Sequence, residues 1–427
     1  MNVLILGSGG REHTIAHQIS KSPGCNTLFV APGNAGTSSC ATNLKLDILN
    51  FEEVAKSIKT HEIQMLIVGP EAPLVEGIKD YFDEREEFSD LKIVGPSKRG
   101  ALLEGSKERA KEFMKSHQVP TAAYQSFSEK TLEAGKEFLK TMHPPYVLKA
   151  DGLAGGKGVL ILTHLKEAQD ELENMLTNSK FGIASEKVVI EEFLNGIELS
   201  VFVLTDGKNY ITLPNAKDYK RIGEADTGLN TGGMGAISPV PFADEAFMRK
   251  VDEKIIKPSI DGLYKEDIDF TGFLFIGLMK VGDEPFVVEY NVRMGDPETE
   301  VVIPRIKNDL LDVLSKTTEG KIQEVQLEID AQHAATVMLV SGGYPGTYEK
   351  GKVVSGLDKT EEDEKVFVCH AGTKKENDQV LTNGGRVIAV TAFGDTFQRA
   401  LEKAYENVNH INFKGMYYRK DLGKDLV

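Results

Sequence analysis

Tyr146-Val-Leu-Lys149-Ala-Asp-Gly152-Leu-Ala-Gly155-Gly156-Lys157-Gly158-Val-Leu-Ile-Leu162 is the stretch on which the architecture turns. Its glycines and lysine approach a phosphate loop of the Walker type. One residue is missing between the glycines, however, and Gly158 stands where Ser or Thr is required. The flanks differ as well. Tyr146–Leu148 and Val159–Leu162 both read as strands, whereas a Walker loop leads from a strand into a helix. A Gly-rich loop between two strands is a flap that can close over a triphosphate with its N–H groups and a nearby lysine. The alternative is a plain hairpin tip.

Upstream, the first hundred residues repeat one pattern. Apolar runs Val3–Leu6, Leu28–Ala31, Met65–Val68 and Leu91–Val94 each stop at Gly or Pro, and amphipathic stretches such as 11–20 and 51–60 separate them. Continuous apolar strands between helices predict an open parallel α/β sheet, whose binding crevice lies at the carboxyl ends of the strands. The loops there are Gly7-Ser-Gly9-Gly10-Arg11, Pro32-Gly-Asn34 and Gly69-Pro-Glu71. A dinucleotide fingerprint fails twice, because Glu12 occupies the third glycine position and the second strand ends at Ala31-Pro32 without an acid. What survives is a tight turn exposing N–H groups beside Arg11, suited to a phosphate monoester, or else an ordinary βα turn.

Downstream, Phe286-Val-Val-Glu289-Tyr-Asn291-Val-Arg293 reads as a strand. Period-2 alternation puts Glu289, Asn291 and Arg293 on one side, two oxygen ligands beside a guanidinium, as Mg²⁺ and a transferring phosphoryl group require. A solvent-facing strand edge would alternate in the same way. His13 and His17 lie one helical turn apart without a nearby acid, which favours a packing role. The acid run 361–364 reads as a solvated loop. From Ala335 onward, short Gly-punctuated runs predict antiparallel strands closed by a helix at Phe397–Val408.

With 427 residues, 41% apolar and 27% charged, the chain has material for two to four domains. A net charge of −15 disfavours a general nucleic-acid binder. No apolar run approaches the roughly 20 residues needed to span a bilayer, and the N-terminus lacks the pattern of a secretory signal. Cys25, Cys40 and Cys369 are too scattered for a metal or disulfide framework. These features predict a soluble protein of a reducing compartment, cytoplasmic, without membrane or nucleic-acid partners and expected to be a monomer.

Taken together, the motifs resemble the ATP-grasp carboxylate–amine ligases, and among them the glycinamide ribonucleotide synthetase family. The resemblance rests on Gly7-Ser-Gly-Gly-Arg-Glu-His13, Ala31-Pro-Gly-Asn-Ala-Gly36, Val68-Gly-Pro-Glu-Ala-Pro-Leu74, Asn230-Thr-Gly-Gly-Met-Gly235, Arg293-Met-Gly-Asp-Pro-Glu-Thr-Glu300 and Gly342-Gly-Tyr-Pro-Gly346. Glu104-Gly-Ser-Lys107 and Val189-Ile-Glu-Glu-Phe-Leu194 complete the ATP-grasp layout. Met294, Leu229 and Tyr219 depart from the usual Leu or Phe, Pro and His, while Asp218, Lys220 and Arg221 are kept. Gly277 stands where the wider superfamily often has an acidic metal ligand.

The resemblance implies an N-terminal α/β domain over 1–102 and an ATP-grasp centre over 103–120 and 190–327. A lid over 121–189 and a β-rich C-terminal domain over 328–427 complete it, α/β and α+β parts in one chain. It implies that Lys107 and Lys149 contact ATP phosphates beneath a lid containing Gly155 and Gly156. Glu191, Glu192, Phe193 and Leu194 would hold adenine and Glu198 the ribose. Glu289 and Asn291 would bind Mg²⁺, or Mn²⁺ in its place, and Arg293 would stabilise the transferred phosphoryl group. Asp218 and Lys220 would place the amine substrate, with its phosphate against Gly9, Gly10, Arg11, Asn34 and Glu71. The implied reaction joins glycine to 5-phosphoribosylamine through glycyl phosphate, with ATP as co-substrate, in purine biosynthesis. Biotin carboxylases and other purine ATP-grasp enzymes share the nucleotide motifs but should lack Arg-x-Gly-Asp-Pro-Glu. A silent nucleotide-binding module should lose Lys149, Glu289 or Arg293, and all three are present.

Overall fold

The computed structural model describes residues 1–155, 158–178, 180–360 and 365–426, so the acid run 361–364 lies outside the described residues. Strands β1 (Asn2–Gly7), β2 (Thr27–Pro32), β3 (Thr42–Asn43), β4 (Met65–Val68) and β5 (Lys92–Val94) form a parallel sheet in the order β3-β2-β1-β4-β5. The four predicted apolar runs are its β1, β2, β4 and β5, and β1 and β4 are buried along nearly their whole length, as a sheet covered on both faces requires. Strand order reverses between β1 and β4, which opens a crevice at Gly7 and Gly69. The two-residue β3 is too short to leave a periodic signal. The helix Phe51–Thr60 begins at Asn50, whose side chain accepts the Glu53 N–H, and buries Val54, Ala55 and Ile58.

Strands β6 (Tyr124–Ser128), β7 (Tyr146–Ala150), β8 (Val159–Leu162) and β9 (Lys187–Glu191) make an antiparallel sheet in the order β6-β9-β7-β8. β7 and β8 pair from Tyr146↔Leu162 to Lys149↔Val159, so the Gly-rich segment between them is a hairpin connection, as the flap reading requires. This sheet has a core of its own, built from Phe127, Leu139, Leu148, Leu172, Met175 and Ile190.

Next along the chain come β10 (Ile197–Thr205), β11 (Tyr210–Thr212), β12 (Lys217–Asp218), β13 (Arg221–Gly223), β14 (Thr227–Asn230), β15 (Gly235–Ser238), β16 (Gly272–Val281) and β17 (Glu284–Asn291). They do not form one sheet. β11-β10-β16-β17 is the central antiparallel sheet, and it shares a core with the N-terminal sheet through Val201, Leu274, Ile276 and Val287 against Leu4, Leu66 and Ile93. β13 and β14 form a separate hairpin. β12 and β15 join the C-terminal strands β18 (His333–Val340), β19 (Val366–His370) and β22 (Arg386–Gly394) in the order β12-β15-β18-β22-β19, antiparallel as expected, with β20 (Thr373–Glu376) and β21 (Gln379–Thr382) as a side hairpin. The helix Phe397–Val408 covers β18 and β22 where the sequence predicts it. Among the described residues no helix is long and apolar enough to cross a membrane.

One irregularity matters for the site. Gly277 pairs with Glu289 and Leu278 with Val287, leaving Val288 as a bulge in β17. Pro285 and Val287 are buried before the bulge and Tyr290 after it, so the buried face changes parity there. Glu289 and Asn291 thereby face away from the core.

Candidate functional site

A single cavity of about 1230 Å³ runs between the loops of the N-terminal sheet, the flap, the central sheet and the β13–β14 hairpin. Its walls include Gly9, Arg11, Glu71, Lys107, Lys149, Gly155, Glu191, Glu192, Phe193, Leu194, Glu198, Asp218, Lys220, Glu289, Asn291 and Arg293. Residues proposed from separate motifs along the chain thus meet in one space. Gly156 lies outside the described residues.

At the flap end, the helix Lys107–Ser116 starts at Ser106, whose hydroxyl accepts the Arg109 N–H. Asp151, at the foot of the flap, accepts from the Ser106 hydroxyl at 3.0 Å and from the Glu108 N–H at 2.7 Å. The Lys-Ala-Asp-Gly motif therefore couples the flap to the helix that carries Lys107. The Lys107 ammonium lies 3.4 Å from the Gly152 carbonyl. The Lys149 ammonium is 2.9 Å from Glu191 Oε2 and 3.2 Å from the Val288 carbonyl of the bulge. Lys111, one turn beyond Lys107, shares the same carboxylate oxygen at 2.9 Å and donates to Thr121 Oγ1 at 2.7 Å. It is 2% exposed, and burial pulls its ammonium down to about 8. Sequence reasoning missed Lys111, although its i, i+4 spacing from Lys107 was a usable signal. Glu191 Oε1 is buried without a hydrogen-bond partner and borders the cavity.

In the middle, Glu289 and Asn291 leave β17 side by side. Burial alone would push the Glu289 carboxyl up. Lys220, Lys149, Lys107 and Arg293 overcome that and hold it below the ordinary carboxylate value, so it is ionised. Gly277 faces it across the strand pair, and a Cβ there would stand 3.2 Å from Glu289 Cγ. A glycine at this position makes room for Glu289. Arg293 is clamped between two carboxylates, Glu104 at 2.5 Å and Glu71 at 3.4 Å, and Glu104 also accepts the Val292 N–H at 2.8 Å. Glu104, part of a quoted motif but given no role, is what orients the guanidinium. Glu298 projects into the same space, with Oε1 3.3 Å from Ser200 Oγ; burial, reinforced by the charge of Asp218, pushes its carboxyl up to about 8. Also lining the cavity, Lys220 lies 3.3 Å from Glu198 and beside Asp218.

The Gly7–Arg11 turn differs from its expected form. Two of its donors are already used: the Gly9 N–H donates to Glu12 Oε2 at 2.6 Å, and the Arg11 N–H donates to Asp296 Oδ2 at 3.3 Å. The Arg11 guanidinium is buried against Glu12 Oε1 at 2.6 Å and the Met294 carbonyl at 3.0 Å. Gly10 and Asn34 do not border the cavity at all. A Cβ on Gly10 would meet Glu300 Oε1 at 2.1 Å, so this glycine answers to packing. Asn34 is a buried brace: its amide donates to the Ser8 and His370 carbonyls at 2.9 and 2.8 Å, and its Oδ1 accepts the Gly36 and Thr37 N–H groups. A local motif cannot show that carboxylates from residues 296 and 300 fold back onto the turn. Arg386 was also missed. It reaches this end from β22, with Nη2 3.0 Å from Asp296 Oδ1 and Nη1 donating to the Asp296 and Gly232 carbonyls; no nearby motif marks it.

Comparison with known proteins agrees with this architecture. Residues 1–104, 105–299 and 334–425 match the N, ATP-grasp (A) and C domains of phosphoribosylglycinamide synthetase, respectively. A phosphoribosylamine–glycine ligase of Caldanaerobacter subterraneus subsp. tengcongensis is 43% identical over 422 residues, 99% of each chain. A bifunctional purine biosynthetic protein of Pichia angusta is 43% identical over 99% of this chain, which spans only 53% of that longer protein. The crystal structure of a phosphoribosylamine–glycine ligase from Thermotoga maritima superposes with a TM-score of 0.85 at 36% identity, covering 99% of this chain and all of that one. The chain belongs to the phosphoribosylglycinamide synthetase family, with its N, ATP-grasp and C domains in order.

Proposed function

We propose that this chain joins the carboxylate of glycine to the amine of 5-phosphoribosylamine, converting ATP to ADP and phosphate and yielding glycinamide ribonucleotide in purine biosynthesis. The observation that carries the proposal is the set of charges lining one cavity. Lys107 and Lys149 stand there with Gly155 of the flap, Glu289, Asn291 and Arg293 come from β17 and the turn after it, and Asp218 and Lys220 come from β12 and the residues after it. That set suits a nucleotide, a phosphoryl group in transit and an amine. Family membership supports the same reading.

The chemistry follows from leaving groups. A carboxylate is a poor acyl donor because oxide would have to depart. Phosphorylated glycine releases phosphate instead, and the amine can then attack its carbonyl. In this reading Lys107 and Lys149 hold the ATP phosphates, with Gly155 and its flap above them. The Glu191–Leu194 backbone takes the adenine, the free Oε1 of Glu191 accepts a donor from the base, and Glu198 meets the ribose. Arg293, set by Glu104 and Glu71, offsets charge on the moving phosphoryl group. Asp218 and Lys220 orient the amine substrate beside Gly9 and Glu71. With the Arg11 guanidinium held against Glu12 and the Met294 carbonyl, Arg386 is the more open cation at that end for its phosphate.

The residues fit a divalent cation. Glu289 is ionised and paired on one strand face with the amide oxygen of Asn291. Among the described residues no group of three His, Cys, Asp or Glu side chains could hold a metal, so the remaining ligands would be phosphate oxygens and water, the usual company of Mg²⁺. Mg²⁺, or Mn²⁺, held at Glu289 and Asn291 would neutralise phosphate charge. The proposal is completed by a cytoplasmic monomer acting on small molecules alone.

Turnover with glycine labelled with ¹⁸O in its carboxylate tests the intermediate. One ¹⁸O per turnover should appear in inorganic phosphate, because the oxygen that takes the phosphoryl group leaves with it. Phosphate free of label, with ligation intact, would rule out glycyl phosphate.

A further inference from the structure

The amine side of the cavity is built from elements that cannot hold themselves. β12 is a two-residue edge strand, and the β13–β14 hairpin has no buried residue along either strand. Leu229 in that hairpin is 64% exposed, and Ala225 and Asp226 sit in the left-handed region. A two-stranded hairpin of this kind is marginal in water. Yet this segment presents Asp218, Lys220, Arg221 and Asn230 to the cavity.

Its support comes from the far end of the chain. Arg419 is 1% exposed; its Nη1 donates to Asp226 Oδ1 at 2.6 Å and to the Arg221 carbonyl at 3.2 Å, while Nε and Nη2 grip Asp421 at 2.8 Å each. Asp421 in turn accepts the Ala225 N–H at 2.7 Å. Asp425 takes the Lys217 ammonium at 2.6 Å through one oxygen and the Tyr219 hydroxyl at 2.9 Å through the other. The Tyr219 ring lies between two cations, with Lys217 Nζ at 4.1 Å and Arg419 Cζ at 5.3 Å from its centre. Leu422, buried in the C-terminal core, anchors the segment that makes these contacts. The positions tied together are about 200 residues apart, and each of these hydrogen bonds uses a charged group, the stronger class.

We propose that the segment 419–425 is a positioning brace for the amine-substrate wall, with Asp425 acting through Lys217 and Tyr219, and Arg419 through Asp226 and Arg221, to hold residues 217–231 in their binding geometry. None of these brace residues need touch the reacting atoms. The choice of phosphoribosylamine as the substrate affected rests on the proposed function; the brace itself does not.

The test is Asp425→Asn in the full chain, an amide that still accepts from Tyr219 but loses the charge facing Lys217. Two readouts are taken: hydrogen exchange across residues 217–231 without ligand, and KM for each substrate. Expected are faster exchange confined to that segment and a rise of about tenfold in KM for phosphoribosylamine, with KM for ATP within about twofold. Asp425→Glu should recover part of both. Unchanged exchange in 217–231, or a parallel change in all KM values accompanied by exchange throughout the C-terminal sheet, would overturn the brace. If the unaltered protein fails to ligate glycine to phosphoribosylamine, the functional reading falls, and the exchange result still decides the brace.

Discussion

The two glycine-rich loops at the ends of the cavity look alike in sequence and are opposites in structure. Carboxylates crowd Gly9 and Gly10: a Cβ on Gly9 would stand 2.9 Å from both Asp296 Oδ2 and Glu12 Oε2, and one on Gly10 would collide with Glu300. A Cβ on Gly155 would meet no described residue within 4 Å, and its φ of +55° alone calls for glycine. The first loop is locked by carboxylates arriving from residues 296 and 300. In the second loop Gly155 meets no such carboxylate among the described residues, and the loop borders the same cavity as Lys107 and Lys149. Glycine thus answers to close packing at Gly10 and to backbone conformation at Gly155.

The sharpest way to break this contrast is at the centre, where both ends must cooperate. Arg293→Ala should lower turnover by roughly 10³-fold, the scale for removing a charge-stabilising donor, while ATP binding stays measurable by calorimetry. Turnover near normal would remove Arg293 from the account. Next in size, Arg11→Ala should act as a stability mutation. Losing one partner of a buried pair strands Glu12 and should cost about 3 kcal/mol in urea unfolding. A large rise in KM for phosphoribosylamine without loss of stability would restore Arg11 as a phosphate ligand.

The glycines themselves separate the loops. Gly10→Ala should cost about 2 kcal/mol through overpacking against Glu300, whereas Gly155→Ala should cost at most about 1 kcal/mol, from its left-handed backbone. Equal effects would erase the distinction. Lys149→Ala should weaken ATP binding by roughly 30-fold through the loss of one charged contact. Unchanged nucleotide affinity would move the phosphates away from the flap.

Much of this was legible in the sequence, for physical reasons that differ from region to region. Parallel strands buried on both faces write continuous apolar runs, so β1, β2, β4 and β5 could be read directly. Alternation over Glu289–Arg293 was readable because the bulge at Val288 lies before the first of these residues; the same alternation carried back to Val287 would have put the wrong residues in the core. Long-range pairings leave no such trace. Nothing local to Gly9 announces Asp296, nothing near Arg386 announces Gly232, and the joining of β12 to the C-terminal sheet depends on residues more than 100 positions away. Lys111 is the exception, because its i, i+4 spacing from Lys107 on one helix is a local signal.

The most direct test of the central claim is ADP release from ATP and Mg²⁺ with glycine and freshly generated phosphoribosylamine, supplied singly and together. Release is expected only when both are present, with glycinamide ribonucleotide as the product identified by mass. Release with another carboxylate or amine, and none with this pair, would contradict it.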